Sequence, residues 1–375
     1  MYLAIREMRF AKGRYSLIAT IMVLVAFLVL FVTGLAQGLA YDNAASVKNM
    51  DATHFIFQQD SNHRFTRSQI NQNQLEKAGL IVGQENAEPL GVKMTTVIPS
   101  GETGKIDVTL LAVNLNSWLA PAITEGSPLS DQIKGKVLVD QKLADSGVKI
   151  GTILVDQASG IKWTVGCFVK NESFSHTPAV FLNKQDWLSL QTQSLTTQGT
   201  ESVADSNIYN AIAIKASKEK AKELQSALPN TEVIKKSDAV SAIPGYKEEQ
   251  GSLMMMIVFL FVISAFVLAV FFYVITIQKT SQFGILKAIG TRTAYLARSV
   301  TLQVLVLSVA SLLLSVLLVT LFEAILPSSM PFQLGFSTLL LTCLSFVTMS
   351  LAGSLFSVWK VAKIDALDAI GRTAA

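Results

Sequence analysis

Four stretches of this chain are apolar for long enough to cross a bilayer, which takes about 20 helical residues. They cover residues 16–40, 251–277, 299–326 and 336–359. Between the first and second lies a long segment, residues 41–250, in which polar and apolar positions alternate in short runs. Runs rich in β-branched residues and bounded by turn formers predict strands at Ile106–Val113, Lys136–Val139, Thr152–Asp156, Trp163–Val169, Ala179–Leu182 and Ile208–Ile214. Helices are predicted at Gln69–Gly79 and at Ser217–Leu228, the second opening on Ser217 and stopping before Pro229-Asn230. Gln191–Ser206, rich in Ser, Thr and Gln, reads as a loop. The expected fold class is therefore an α-helical membrane protein with four transmembrane helices and a mixed α/β extracellular domain inserted between helices 1 and 2. The first apolar run exceeds the ~7–15 residues of a signal-peptide core, and Gln37-Gly38-Leu39-Ala40-Tyr41 is a poor cleavage site, so it reads as a retained anchor.

Composition agrees with a membrane protein. Of 375 residues, 50% are hydrophobic and only 15% charged, where a soluble domain carries roughly 25% charged residues. A single water-soluble globule, a disordered chain and a fibrous repeat are thereby disfavoured. The net charge of +4 is too small to suggest nucleic acid. Its distribution says more. Residues 1–15, 278–298 and 360–375 together hold eleven basic and three acidic residues, whereas residues 41–250 hold twenty basic and twenty-three acidic ones. The short loop 327–335 has no charge. By the excess of Lys and Arg on the cytoplasmic side, the basic pieces are a cytoplasmic amphipathic N-terminal segment, a cytoplasmic loop and a cytoplasmic tail, and residues 41–250 and 327–335 lie outside. The chain is thus expected in a cell membrane as a multi-pass protein with both termini cytoplasmic. Its two cysteines, Cys167 and Cys343, suggest no disulfide framework.

Candidate chemistry is sparse. No G-x-x-x-x-G-K-[ST] phosphate loop occurs, so ATP hydrolysis by this chain is not expected. No Cys/His cluster has metal-ligand spacing, and His54, His63 and His176 are scattered. The most specific feature is the loop after the second span, Gln278 to Gly290, in which Phe283, Leu286 and Ile289 fall at helical spacing and Gly290 closes the turn. This predicts a short amphipathic helix, either lying on anionic lipid or docking into a partner ATPase through Gln282, Phe283, Gly284, Ile285, Leu286 and Lys287. Gly34 and Gly38 form G-x-x-x-G in the first span, a close-packing motif for another span of the same chain or for a dimer seam.

The loop Gln-x-x-x-x-Gly-Ile-Leu-Lys-Ala-Ile-Gly resembles the corresponding segment of the FtsX/MacB-type, or type VII, ABC transporter permeases. Arg6-Glu7-Met8-Arg9 with Arg14 resembles their N-terminal helix, and Ile364-Asp365-Ala366-Leu367-Asp368-Ala369-Ile370 resembles their closing motif with Ala366 in place of Pro. One span, a large external domain and three more spans is also that family's layout. Phe271–Lys279, Gly34–Leu39 and Tyr246-Lys247-Glu248-Glu249-Gln250 look most like the HrtB-type haem-exporter permeases within it. The resemblance implies a bacterial plasma-membrane efflux subunit that works as a homodimer with a separate, HrtA-like ATPase. ATP would be bound by that ATPase and haem would be the transported substrate, with no cofactor held by the permease. Alternatives are a non-transporting FtsX-like mechanotransmitter and an exporter of another amphipathic compound or antimicrobial peptide.

Within that resemblance Glu249 matches the family's Tyr-x-x-Glu-Gln pattern and is the candidate haem-iron ligand, since ferric haem accepts carboxylate oxygen. Met255 and Met256 follow about two turns on and would offer an adaptable apolar wall. Tyr246, three residues before Glu249, and Tyr41 read first as interfacial aromatic anchors and second as further haem-binding candidates.

Overall fold

The computed structural model of the chain describes residues 12–102, 104–197, 207–327 and 330–362. The N-terminal motif Arg6–Arg9, the closing motif Ile364–Ile370 and residues 198–206 lie outside the described residues. Two compact units are present, one made of Met1–Gly38, Gly251–Pro327 and Phe332–Ala375, the other of Leu39–Gln250 with Ser328–Pro331.

Four long helices build the first unit: span one, Lys12–Asp42; span two, Tyr246–Gln278; span three, Thr293–Glu323; span four, Phe336–Ala362. All four are long and apolar enough to cross a membrane. The helices overrun the apolar stretches because backbone capping, not hydropathy, decides where a helix ends. Their common core is apolar, with Met22, Ala26 and Leu30 of span one against Leu268 and Phe272, Val304 and Val319, and Phe346. Buried serines bring spans one and three together: Ser315 Oγ donates to the Val23 carbonyl at 2.9 Å, and Ser311 and Ser308 are buried beside it. Small side chains of this kind let two membrane helices approach closely.

The glycine pair of span one is used inside the chain. A Cβ on Gly34 would stand 2.4 Å from Phe332 Cζ, and the Gln333 N–H donates to the Gly34 carbonyl at 3.1 Å. Gly38 is buried as well. Of the two readings of G-x-x-x-G, Gly34 makes the contact within the chain, against Phe332. The surface left uncovered belongs instead to span two, whose most apolar stretch is 11% buried against 39% in spans one and three.

Thirteen strands are described in the second unit, in chain order β1 (His54–Gln58), β2 (Ile70–Asn71), β3 (Ala87–Pro99), β4 (Ile106–Ala112), β5 (Ile123–Gly126), β6 (Lys136–Asp140), β7 (Ile153–Asp156), β8 (Lys162–Val169), β9 (Ser173–Phe174), β10 (Thr177–Leu182), β11 (Ile208–Tyr209), β12 (Ala211–Ile214) and β13 (Thr231–Lys235). The antiparallel order β13-β1-β12-β3, with helix Gln72–Val82 between β1 and β3 and helix Lys218–Ala227 between β12 and β13, is a β-α-β-β-α-β arrangement of ferredoxin-like type. A second body is inserted between its β3 and β12. There the pairings run β3-β4-β10-β6-β8-β7 and return to β3, closing a six-stranded ring. Strand β3 belongs to both halves: Ala87–Leu90 pairs with β12 and Gly91–Val97 with β4. Trp163 is fully buried in the larger apolar core, which runs through both halves.

Local sequence accounts for several boundaries. Helix Gln72–Val82 opens on Asn71, whose side chain accepts from the Gln74 N–H while the Gln74 side chain accepts from the Asn71 N–H, a full capping box; the preceding Ile70–Asn71 is strand, not the first turn expected. The run Ile208–Ile214 is two strands in two sheets, because the Asn210 side chain accepts from the Val92 N–H at 2.7 Å and breaks the ladder. Residues 191–197 are helical, as the end of Lys184–Thr197, where a loop is expected from composition. Cys167 and Cys343 are both free.

Candidate functional site

Glu249 sits in the first turn of span two, four residues after Gly245, whose carbonyl accepts from the Glu249 N–H at 2.9 Å. The helix therefore starts early enough to place Tyr246 and Glu249 one turn apart on it. The Glu249 side chain is 18% exposed. Its Oε2 accepts from Asn43 Nδ2 at 2.6 Å and bonds His176 Nε2 at 3.1 Å. Among the described residues no hydrogen bond to Oε1 is formed, so one carboxylate oxygen is held and the other is open.

His176 was not singled out by its sequence context, yet it joins two acids: its Nδ1 lies 3.5 Å from Asp42 Oδ2 while its Nε2 meets Glu249. It is carried by a two-residue hairpin turn between β9 and β10, in which Ser175 and His176 have φ of 50° and 63°. Both positive values mark a type I′ connection, usually filled by Asn-Gly. Non-glycine residues in this region cost about 1–2 kcal/mol each, and the pairing of Phe174 with Thr177 together with the two carboxylates holds the turn in place. Asp42, in turn, pairs with Lys142 and accepts from Ser173 Oγ at 2.7 Å. The last turn of span one, the β9–β10 hairpin and the first turn of span two are thus tied by one polar cluster.

Both tyrosines flank Lys48. Its Nζ lies 5.6 Å from the Tyr41 ring centroid and 5.0 Å from that of Tyr246, and it donates to the Ala40 carbonyl at 2.9 Å. Tyr41 Oη donates to Asn49 Oδ1 at 2.5 Å, and Asn49 Nδ2 donates to Glu172 Oε1 at 3.0 Å. Tyr41 and Tyr246 are therefore tied to this lysine and its neighbours. Met255 and Met256 are 59% and 42% exposed on span two, together with Met254 and Phe259.

Glu172 is a second buried acid of this region. Burial pushes its carboxyl up to about 7, against the opposing pull of the Asn49 amide. Asp140, which accepts from the Glu172 N–H at 2.6 Å, is likewise raised by burial. A raised folded-state carboxyl binds its proton where the unfolded chain has released it. Stability is then full below the ordinary carboxylate range and is lost as pH rises toward 7. Glu172→Gln, which keeps the neutral shape, is expected to reduce the loss of thermal stability between pH 5 and pH 8, an effect of about 3 kcal/mol for a shift of this size. Melting curves of the parent and variant at both pH values check it; parallel curves would mean that Glu172 does not titrate in this window.

At the other end of span two a short helix, Thr280–Ala288, follows after Lys279. It ends in a Schellman turn: the Thr291 N–H donates to the Leu286 carbonyl at 3.0 Å, the Gly290 N–H to that of Lys287, and Gly290 has φ 94°. The expected docking face is largely turned inward. Phe283 is 3% exposed and packs with Leu286 on Leu296, Val300 and Val358, and Gly284 is buried. Phe283, Gly284 and Leu286 anchor the helix to its own chain because this pocket between spans three and four is the nearest apolar surface for that face. Gln282, Ile285, Ala288 and Ile289 are exposed, the two isoleucines 51% and 74%, and Lys287 is half-buried. The preceding turn is held by Lys279, which is buried, bonds Tyr15 Oη and lies 3.4 Å from Gln303 Oε1, while Tyr15 Oη donates to the same oxygen at 2.7 Å. Span one, the span-two end and span three are locked together there.

Residues 254–366 match the model of the FtsX-like permease C-terminal domain. A relative from Staphylococcus haemolyticus (strain JCSC1435) is 32% identical over 99% of both chains, and one from Staphylococcus epidermidis (strain ATCC 12228) is 31% identical over 99% of both. Both are named as a hemin transport system permease protein, HrtB, an assignment that is itself provisional. The crystal structure of the periplasmic region of MacB from Actinobacillus actinomycetemcomitans aligns with 55% of this chain and 97% of its own, at 11% identity and a TM-score of 0.37. A full-length match at this identity, with the permease domain at its C-terminal end, settles the family: the chain is a membrane permease subunit of the FtsX-like family and belongs with the HrtB permeases.

Proposed function

We propose that the chain is the permease of an ABC-type pump that extrudes haem from the membrane, working as a homodimer with a separate ATPase subunit. The observation that carries this reading is Glu249, a carboxylate at the start of an apolar membrane helix with one oxygen fixed by Asn43 and His176 and the other open. Ferric iron accepts such an oxygen, and a carboxylate is a weaker ligand than a pair of imidazoles, as capture followed by release requires. His176 acts as a positioning residue that orients the carboxylate, in the manner of the outer partners of metal ligands. Full-length likeness to permeases named for hemin supports the substrate.

The bare apolar surface of span two supports pairing of two copies along that helix, which would bring two Glu249 side chains to one flat molecule. Span two also connects Glu249 to the helix Thr280–Ala288 without a break other than Lys279. A push on that helix by an ATPase on the cytoplasmic side would travel along about 50 Å of helix to the carboxylate cluster. The topology that fits the charges puts both termini and the Thr280–Ala288 helix in the cytoplasm and the α/β domain outside. Titration of the purified chain with hemin tests the substrate: a saturable Soret change is expected, and a spectrum that merely tracks partitioning into detergent would contradict it. That second outcome is the one a purely mechanotransmitting permease would give.

A further inference from the structure

The inserted domain contains a cavity of about 410 Å³, in the size range of small-ligand sites. One wall is apolar, built from Met50, Leu119, Pro121 and Phe181 with the Trp118 ring. Trp118 is a fixed wall: its Nε1–H donates to the Glu85 carbonyl at 2.8 Å and Lys215 Nζ sits 4.7 Å from its ring centroid. Two ionisable side chains line the same space, Lys170 and Glu172. Lys170 is exposed, and among the described residues it makes no ion pair. Glu172 is 6% exposed, and its neighbours are the Asn49 amide and another acid, Asp140, whose oxygen takes the Glu172 N–H.

We propose that this cavity is a binding site for an amphipathic carboxylate, with the ligand's carboxylate between Lys170 and Glu172 and its apolar body against Trp118. The polar pair decides the class. A cationic ligand would be repelled by Lys170, and an uncharged one would gain no attraction from it. A carboxylate pairs with Lys170 and accepts the proton of a neutral Glu172, a short charge-assisted bond. The buried setting of Glu172, which holds its carboxyl near 7, keeps that proton available. Two sources share the chemistry: the carboxylate edge of a porphyrin and a free fatty acid. The porphyrin source rests on the haem-export reading; the site itself does not. Glu172 and Tyr41 share Asn49 as a partner, so the cavity adjoins the Tyr41 and Lys48 side chains.

The test uses the full chain in lipid nanodiscs and tryptophan emission as readout, with three probes: metal-free protoporphyrin IX, its dimethyl ester, and laurate. Protoporphyrin IX, laurate or both are expected to change the emission saturably, and Trp118→Phe removes that component. Trp163 and Trp187 are buried in the other core and serve as the unchanged background, and Trp359, exposed on span four, is replaced by Phe in every protein compared. Lys170→Glu, at an exposed position that tolerates the change, is expected to weaken binding at least about tenfold. Glu172→Gln is expected to retain it. Laurate alone would identify a lipid source, and protoporphyrin IX a porphyrin one. A dimethyl ester that binds as well as the acid, an affinity indifferent to Lys170→Glu, or no saturable change with either acid would overturn the proposal. Glu249→Ala is expected to leave metal-free binding intact, so a failure of the haem reading and a failure of this site give different results.

Discussion

Glu249→Ala is expected to weaken hemin binding to the purified chain about a hundredfold and to alter the spectrum of whatever hemin remains bound. The loss follows from the open Oε1, since alanine leaves an apolar wall with no oxygen donor. Glu248→Ala, about 100° round the helix, is expected to bind hemin like the parent. His176→Gln falls between them: an amide can still donate to Glu249 Oε2, so affinity is expected to drop by about tenfold, the low end of the range for outer partners of a metal ligand. The ranking matters more than any single value. If all three variants bind like the parent, the ligand lies elsewhere, with Tyr41 and Tyr246 next in line. Expression should be unchanged in each, because Glu249 is only partly buried and its loss opens the place beside His176, which is itself exposed enough to meet water.

Ile285→Asp is expected to abolish co-purification of the ATPase and, with it, efflux. An exposed isoleucine on a rigid, doubly anchored helix is the kind of apolar anchor whose loss costs at least about 2 kcal/mol at an interface, or roughly thirtyfold in affinity. Folding should survive, since Ile285 is half exposed. Phe283→Asp makes the contrast: it buries a charge among Leu296 and Val300 and should lower the melting temperature before any question of docking arises. Pull-down of the ATPase by each variant, read beside its melting curve, separates the two. Undiminished pull-down with Ile285→Asp would leave the helix as a lipid-surface element.

What the sequence made legible was set by the range of the interactions. The spans are read from composition alone, and their existence needs no tertiary partner. Strands β4, β6, β7, β8 and β10 are short β-branched runs with turn formers at both ends, so local preference and final structure agree. Strand β3 escaped because Pro89 and Gly91 interrupt it; the pairing with β12 on one side and β4 on the other overrides both. The Thr280–Ala288 helix was legible, but its facing was not, since hydrophobic spacing identifies an apolar side without saying whether the chain's own spans or a partner covers it. The same ambiguity applied to Gly34, whose partner within the chain, Phe332, lies some 300 residues away.

His176 shows the limit most clearly. Nothing near it in the chain marks it, because the groups that give it a role, Asp42 and Glu249, are brought up by the ends of two different helices. The one local signal is the conformation of Ser175-His176, and a Ser-His pair is not a recognisable type I′ sequence. A strained non-glycine turn beside two carboxylates is where function is often found, but that strain is visible only in the fold.

Haem movement itself remains the most direct measurement. The permease and its ATPase, reconstituted together in liposomes loaded with hemin, should transfer haem to an apo-haem-binding acceptor on the side of the α/β domain when ATP is supplied to the other side. Transfer should require both subunits and be lost in Glu249→Ala and in Ile285→Asp. ATP hydrolysis by the intact complex with no transfer above the passive rate would contradict haem export and point to a permease that transmits motion without moving haem.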